Sequence, residues 1–246
     1  MVIPPRSALG GSSVAAVALI AALCKAGSGI SGQKEVKLLS PETTARLAHG
    51  LEESVAGVPC GLQDQLAAVY GGVNAWYWSG KVEGPVFTQK PIVEKHAFDE
   101  LETHLLLAYC GIPHESKNIN QRWVRQFLSG KYRDFWTEIV NCTQKFTDAL
   151  SEGNFKDASE MMNREVALRR QMTPDVLDEI GENLVSSAIE NNCGARFTGA
   201  GGGGCIWAMG ETENIDSLRK VWKEVLSKRD GACLLNIKTD AEGLEC

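Results

Sequence analysis

At 246 residues the chain is long enough to bury one large hydrophobic core or two modest ones. Its hydrophobic fraction of 43% and charged fraction of 23% are ordinary for a globular protein, and the net charge of −6 comes from interspersed acids and bases. No basic stripe interleaved with aromatics occurs, so a nucleic-acid partner is not expected, and no apolar run is long enough to span a bilayer, so neither is a membrane.

The eight cysteines are scattered, with none at CxxC spacing. Several lie in apolar segments, such as Cys110 after LLLAY and Cys233 before LLNI, and they read as small buried hydrophobes in a reducing compartment. A cytoplasmic location is expected. Four unclustered histidines argue against a protein-built zinc site.

The chain opens on PPRSALGGSSVAAVALIAAL. Arg6 and the run VAAVALIAAL imitate a secretion signal, but two prolines and a Gly-Gly pair precede the run, and a buried helix is the better reading. That helix is expected from Val14 to about Lys25, ended by GSGISG at 27–32. The hexapeptide fits GxGxxG but follows a helix rather than a strand, and Gln33 stands where a Walker loop needs Lys, so both matches are decoys.

Next, SPETTARLAHGLEESVAG carries Ser40 as N-cap, Pro41 at the first helical position and Gly57 as a stop. Leu47, Ala48, Leu51 and Val55 give it an apolar stripe. A short helix over about 62–70 follows, then VNAWYW as a strand and KVEGP as a turn. LLLAYCG (105–111) is a buried strand, and a helical stretch over roughly 119–191 breaks near Gly130, Gly153 and Thr173-Pro174. ARFTG, CIWAMG and CLLNIKTD are strand candidates, with the helix SLRKVWKEVLS between the last two. This mixture predicts an α+β fold.

Three constellations could carry chemistry. In LGGSSV, two glycines and two hydroxyls precede a helix whose free N–H groups favour an anion; an ordinary N-cap at Ser12 or Ser13 explains it equally. In GARFTGAGGGGCIW, five glycines among Gly199 to Gly204 sit in an apolar context, which points to close approach of phosphates or of another backbone rather than to a linker. In EESVAGVPCGLQDQLAAVYGG, Glu52 and Asp64 lie on successive helices and could serve a divalent cation and a substrate hydroxyl; singly, each reads as a surface acid or a helix cap.

Together these stretches resemble the GHMP kinases, a family named for galactokinase, homoserine kinase, mevalonate kinase and phosphomevalonate kinase. PPRSALGGSSV is similar to the family's second motif, GARFTGAGGGGC to its glycine-rich third, and GVPCGLQDQ to the segment that carries the catalytic aspartate in its sugar kinases. QDQLAAVYGGVNAW, LLLAYCGIPHESKNIN and MMNREVALRRQMTP resemble the heptose 7-phosphate kinase subgroup.

The resemblance implies a two-lobed α+β fold, with a partial N-terminal ATP-binding domain over 1–92 and a C-terminal α/β sandwich domain over 93–246. It implies ATP and Mg²⁺ as cofactors, and transfer to a hydroxyl of a sugar or sugar phosphate. Leu9, Gly10, Gly11, Ser12 and Ser13, with Thr198, Gly199, Ala200, Gly201, Gly202 and Gly203, would hold phosphate. Ser12 and Glu52 would reach the metal, and Asp64 would orient or deprotonate the acceptor hydroxyl. His114, with Ser116 and Asn120, would lie near the sugar, with an ordinary capped loop as the equal alternative.

Two departures from the pattern stand out. Arg6 and Ala8 replace glycines of the second motif, and the resemblance then implies a stiffer or rerouted loop, since Ala8 adopts positive φ only at a cost. The family's first motif is not in the sequence, where only Met-Val-Ile precedes the second. The alternative expectation is therefore a non-catalytic remnant that keeps nucleotide or sugar binding, and a second copy of the chain is expected to cover the curtailed lobe.

Overall fold

The computed structural model describes the chain except residues 1–3, 31–38, 58–59, 81–82, 84, 114–115 and 245–246. The expected substrate residue His114 and most of the KVEGP turn lie outside the described residues, as do the side chain of Ser116 and the last two positions of GSGISG. Packing divides the chain into two compact units. One runs from Leu9 to Gly72 and takes in the stretch from Asp240; the other holds the described residues up to Ala8 and Val73–Thr239. By compactness alone, the strands that follow Gly72 group with the later elements.

The smaller unit is a layer of three helices, α1 (Gly11–Ile30), α2 (Pro41–Ala56) and α3 (Gln63–Tyr70). α2 begins as its sequence dictates: the Ser40 hydroxyl accepts from the Thr43 N–H at 3.2 Å, Pro41 opens the helix, and Gly57 closes it at φ +63°. Val17, Ala45, Ala48, Leu66 and Val69 form the buried seam of this unit.

Two expectations fail here. The first helix starts at Gly11 and continues through Gly27 and Gly29 to Ile30 instead of stopping near Lys25. Neither glycine takes the left-handed conformation that ends a helix, so each adds only a propensity cost of about 1 kcal/mol. Nor is α1 a buried helix: of its described side chains only Ser13 and Val17 are buried, whereas Val14, Leu19 and Leu23 are 52–62% exposed. The α2 stripe also faces outward, with Ala48 buried but Leu47, Leu51 and Val55 exposed. The physical reason is shared. The helices pack through their small side chains, such as Ala45 and Ala48, and that close packing leaves the bulky faces on the outside.

Asp240 to Leu244 return to this unit. The Gly72 N–H donates to the Asp240 carbonyl and the Leu244 N–H to the Val69 carbonyl at 3.3 Å. Gly71 and Gly243 meet back to back, and a Cβ on Gly243 would lie 2.5 Å from the Gly71 nitrogen.

In the larger unit β1 (Val73–Trp78) pairs antiparallel with β2 (Phe87–Val93). A short helix α4 (Phe98–Thr103) leads into β3 (Leu105–Tyr109), and the sheet order is β4-β5-β3-β6 with β4 Gly194–Phe197, β5 Cys205–Met209 and β6 Cys233–Leu235. Every pairing is antiparallel. The long helical stretch breaks near the expected places into α5 (Ser116–Leu128), α6 (Arg133–Ser151), α7 (Phe155–Met172) and α8 (Glu179–Glu190); Gly130 and Gly153 both take positive φ. α9 (Thr212–Leu226) completes the set, and the fold is α+β as its texture predicts.

The core of this unit lies between the sheet and α7, α8 and α9. Leu106, Ala108, Phe197 and Ile206 from the strands meet Val166, Leu184, Leu218 and Trp222 from the helices. Trp222 is fully buried, and its indole N–H donates to the Leu184 carbonyl at 3.2 Å, so its one polar atom is satisfied. One charged cluster is also buried. Glu165 accepts from Arg169 Nε at 2.8 Å and from Arg196 Nε at 3.0 Å, while the Arg169 guanidinium lies over the Trp123 and Trp136 rings. Burial pushes the Glu165 carboxyl up, but the two guanidiniums outweigh it and hold the group below the usual carboxylate range.

Candidate active site

The residues singled out in the sequence divide between the two units. In the smaller unit the first bond of α1 runs from the Val14 N–H to the Gly10 carbonyl at 2.9 Å. Gly11, Ser12 and Ser13 therefore lie ahead of the ladder, and their N–H groups have no partner four residues back. Ser12 and Ser13 are thus inside the first turn rather than N-caps, with Gly10 before them at φ +68°. A helix end that follows a glycine in the left-handed conformation suits an anion.

The serine hydroxyls go elsewhere. Ser12 Oγ donates to Glu52 Oε1, and Ser13 Oγ donates to Glu52 Oε2 at 2.7 Å. Gln65 Nε2 donates to the same Oε2 at 2.6 Å. One carboxylate of α2 thereby ties together the starts of α1 and α3. The Ser12 oxygen keeps lone pairs after donating its proton, so Ser12 Oγ and Glu52 Oε1 form a pair of adjacent hard oxygen ligands.

Asp64 stands in the first turn of α3, beside the loop. A Cβ built on Gly10 would lie 3.2 Å from the Asp64 Cβ and 3.3 Å from its carboxyl carbon, so only glycine lets the loop and the carboxylate meet this closely. Asp64 is an exposed residue. Desolvation of its carboxyl by the protein around it, reinforced by the Glu52 charge, pushes its pKa above the ordinary aspartate value. Cys60 nearby is likewise pushed up, first by burial and then by Glu52, Glu53 and Asp64. Glu52, Glu53 and Asp64 make the charge here negative, which suits a divalent cation. A His49 ring nitrogen lies 3.0 Å from the Cys60 carbonyl and ties down the approach to α3.

In the larger unit the glycine loop joins β4 to β5. Gly199, Gly201, Gly202, Gly203 and Gly204 all take positive φ. A Cβ on Gly201 would lie 2.6 Å from the Val176 carbonyl oxygen, one on Gly203 2.8 Å from that of Pro113, and one on Gly204 2.7 Å from that of Ser7. Of the two readings left open by the sequence, close approach of another backbone is present. Gly202 and Gly204 donate their N–H groups to Val176 and Ile112, and the Thr198 hydroxyl donates to the Cys205 carbonyl. Ala200 is buried. Gly199 is different, because its Cβ would meet only the Ala8 methyl at 3.8 Å.

The first half of the second motif carries backbone strain. Arg6 and Ala8 stand at φ +56° and +61°, the left-handed path that glycines adopt freely. The non-glycine residues accept strain of about 1–2 kcal/mol each to follow it.

Sequence reading overlooked Gln65. No sequence signal marks it; its burial does, at 1% exposed beside the buried Leu66. Among the described residues no group of three or more His, Cys, Asp or Glu is placed to hold a metal, so any ion here takes most of its ligands from elsewhere. No helix of the described residues is long and apolar enough to cross a membrane.

Residues 2–72 match the family model for the GHMP kinases N terminal domain, and residues 146–228 match the model for the GHMP kinases C terminal domain. The D-glycero-alpha-D-manno-heptose 7-phosphate kinase of Campylobacter jejuni is 26% identical over 225 residues, which is 90% of this chain and 63% of that protein. The mevalonate kinase of Pyrococcus horikoshii is 29% identical over 84% of this chain and 57% of its own length. Among solved structures, Lactococcus lactis galactokinase complexed with galactose superimposes with a TM-score of 0.68 at 18% identity, covering 98% of this chain and 68% of that one. The chain thus spans about three fifths of the curated relatives it matches. Both family domains are matched in order, over the greater part of the sequence: the chain belongs to the GHMP kinases.

Proposed function

We propose that the chain is an ATP-dependent kinase that phosphorylates a hydroxyl of a sugar or sugar phosphate. The observation that carries this reading is the meeting of Gly10 with Asp64 beside the Ser12–Glu52 pair. It joins an anion-binding helix end, a cation-suited oxygen pair and a carboxylate of raised pKa within one small unit. Similarity to the heptose 7-phosphate kinase over 90% of the chain supports a sugar acceptor over mevalonate, whose kinase aligns over less of it.

In this reading Leu9 to Ser13 hold nucleotide phosphate through main-chain amides, and Thr198 to Gly203 contribute further phosphate contacts. The donor set fits magnesium: a hydroxyl and one carboxylate oxygen, both hard, with the remaining positions left for phosphate and water. When bound, the ion supplies charge neutralisation on the phosphates. Asp64 orients the acceptor hydroxyl and takes its proton as the oxygen bonds to the γ-phosphorus and the bond to the bridging oxygen breaks, releasing ADP. The raised pKa of Asp64 brings it nearer the proton affinity such a base needs at neutral pH. The seven free cysteines among the described residues support a reducing compartment such as the cytoplasm. The outward Leu and Val faces of α1 and α2 support self-association.

Asp64→Asn should lower transfer by roughly 10²–10⁴-fold while leaving affinity for a non-hydrolysable ATP analogue within about twofold. Equal loss of both would make Asp64 structural. A screen that finds mevalonate phosphorylated and no sugar phosphate would overturn the acceptor assignment. Analogue binding with no acceptor turned over would favour the non-catalytic remnant.

A further inference from the structure

We infer that Gln65 is a positioning residue for cation binding: its amide pins one oxygen of Glu52, so that the other faces the metal together with Ser12. The inference rests on the kinase reading above. It begins from an asymmetry in one carboxylate. Glu52 Oε2 accepts two hydrogen bonds, from Ser13 Oγ at 2.7 Å and Gln65 Nε2 at 2.6 Å, whereas Oε1 accepts only that of Ser12. Oε2 is occupied by two donors whose residues, Ser13 and Gln65, are both buried. Oε1 and the hydroxyl oxygen of Ser12 keep free lone pairs.

The Gln65 amide can hold this place in only one orientation. Its Nε2 must face the carboxylate, because a flipped amide would set Oε1 against Glu52 Oε2 at the same short distance. Its own Oε1 is then left buried, with no hydrogen-bond partner among the described residues. A buried, unpaired carbonyl oxygen costs on the order of 1–3 kcal/mol, and a purely apolar side chain at this position would avoid it. The cost is explained if the donor to Glu52 is needed. Gln65 is 1% exposed and Ser13 2% exposed, so the anchoring side of the carboxylate is dry and the bonds there are undiluted by water. Ser12 lies at the exposed edge, where a hydrated ion and its phosphates can arrive.

Releasing the anchor should let Glu52 leave its rotamer without removing any ligand. Loss of such a supporting bond to a metal-binding side chain typically weakens metal affinity by 10–100-fold. The test is Gln65→Met, which keeps the length of the side chain and removes both the donor and the orphaned acceptor. Mn²⁺ binding in the presence of a non-hydrolysable ATP analogue is followed by electron paramagnetic resonance, and binding of the metal-free analogue is measured separately with chelator present. The expected result is roughly tenfold weaker Mn²⁺ affinity, with metal-free analogue affinity and melting temperature unchanged or improved. Unchanged Mn²⁺ affinity would overturn the role of Gln65 and leave the kinase reading standing. Equal weakening of metal-free binding would show that Gln65 merely supports the fold of the site, and would also overturn it. Failure of the unmodified chain to bind Mn²⁺ with the analogue would overturn both the inference and the kinase reading beneath it.

Discussion

The two compact units bury their apolar residues to very different degrees. The larger one encloses Trp222, Phe197, Leu106, Leu184 and Leu218 at 0–1% exposure, between a four-stranded sheet and the helices packed on it. The smaller one packs three helices through a thin seam of Val17, Ala45, Ala48, Leu66 and Val69 and leaves Val14, Leu19, Leu23, Leu47, Leu51 and Val55 outward. Stability therefore concentrates in the larger unit. The chemistry most readily built from side chains, at Ser12, Glu52, Asp64 and Gln65, belongs to the unit with the thinner core. Binding sites are commonly drawn from the less stable parts of a protein, and a bound ligand then stabilises them in return.

The sharpest way to break the contrast is to attack the charged cluster of the larger unit. Glu165→Gln removes a buried carboxylate from between Arg169 and Arg196 and should cost about 3–5 kcal/mol at neutral pH, read by urea denaturation. The folded-state pKa of Glu165 is depressed, so its contribution is fully present above the unfolded carboxylate value. It is lost as pH falls through the folded value, and the difference between the two proteins should shrink there. Gly201→Ala should cost about 3 kcal/mol, because a methyl group would collide with the Val176 carbonyl at an already left-handed φ. Gly199→Ala, which meets only the Ala8 methyl, should cost about 1–2 kcal/mol for its φ alone. Equal losses at the two positions would mean that backbone strain, not the approach of Val176, selects glycine in this loop.

In the smaller unit, substitution on the outward face tests the other side of the contrast. Leu23→Glu should change unfolding free energy by no more than about 0.5 kcal/mol. It should nevertheless shift sedimentation toward the monomer if this face associates. A large loss of stability without any change in mass would show that Leu23 packs within the chain. The smallest expected effect has the opposite sign: Ala8→Gly relieves left-handed strain, loses chain entropy, and should stabilise by a net ~0.5 kcal/mol in the same urea assay.

Local signals were the most readable. Ser40, Pro41 and Gly57 mark the ends of α2 because capping chemistry is written within a few residues. The glycine loop was legible as a place of close approach, but not which backbones approach, since Ser7, Pro113 and Val176 are far apart in sequence. β2 went unseen because FTQKPIV carries Pro91, which cannot donate to a ladder; it stands opposite Asn74, next to the register shift at Val73/Asn74. The burial expected of α1 is not found, and the facing of the α2 stripe could not be read, for a general reason. Periodicity reports that a helix has an apolar side, but not which side its neighbours cover. At the site, charge and glycine pointed to Ser12, Glu52 and Asp64. Gln65 escaped because a single amide is chemically unremarkable until its burial and its partner are seen.

The return of Asp240–Leu244 to the smaller unit has a consequence for biosynthesis. The bonds from Gly72 to Asp240 and from Leu244 to Val69 join segments far apart in sequence, with Val73–Thr239 of the larger unit between them. As the polypeptide emerges from the ribosome, the helices that carry Asp64 and Glu52 appear well before the segment that clasps them. At about 5–20 residues per second the smaller unit waits roughly ten seconds or more with its Gly71 edge unsealed, while the sheet beyond it is completed.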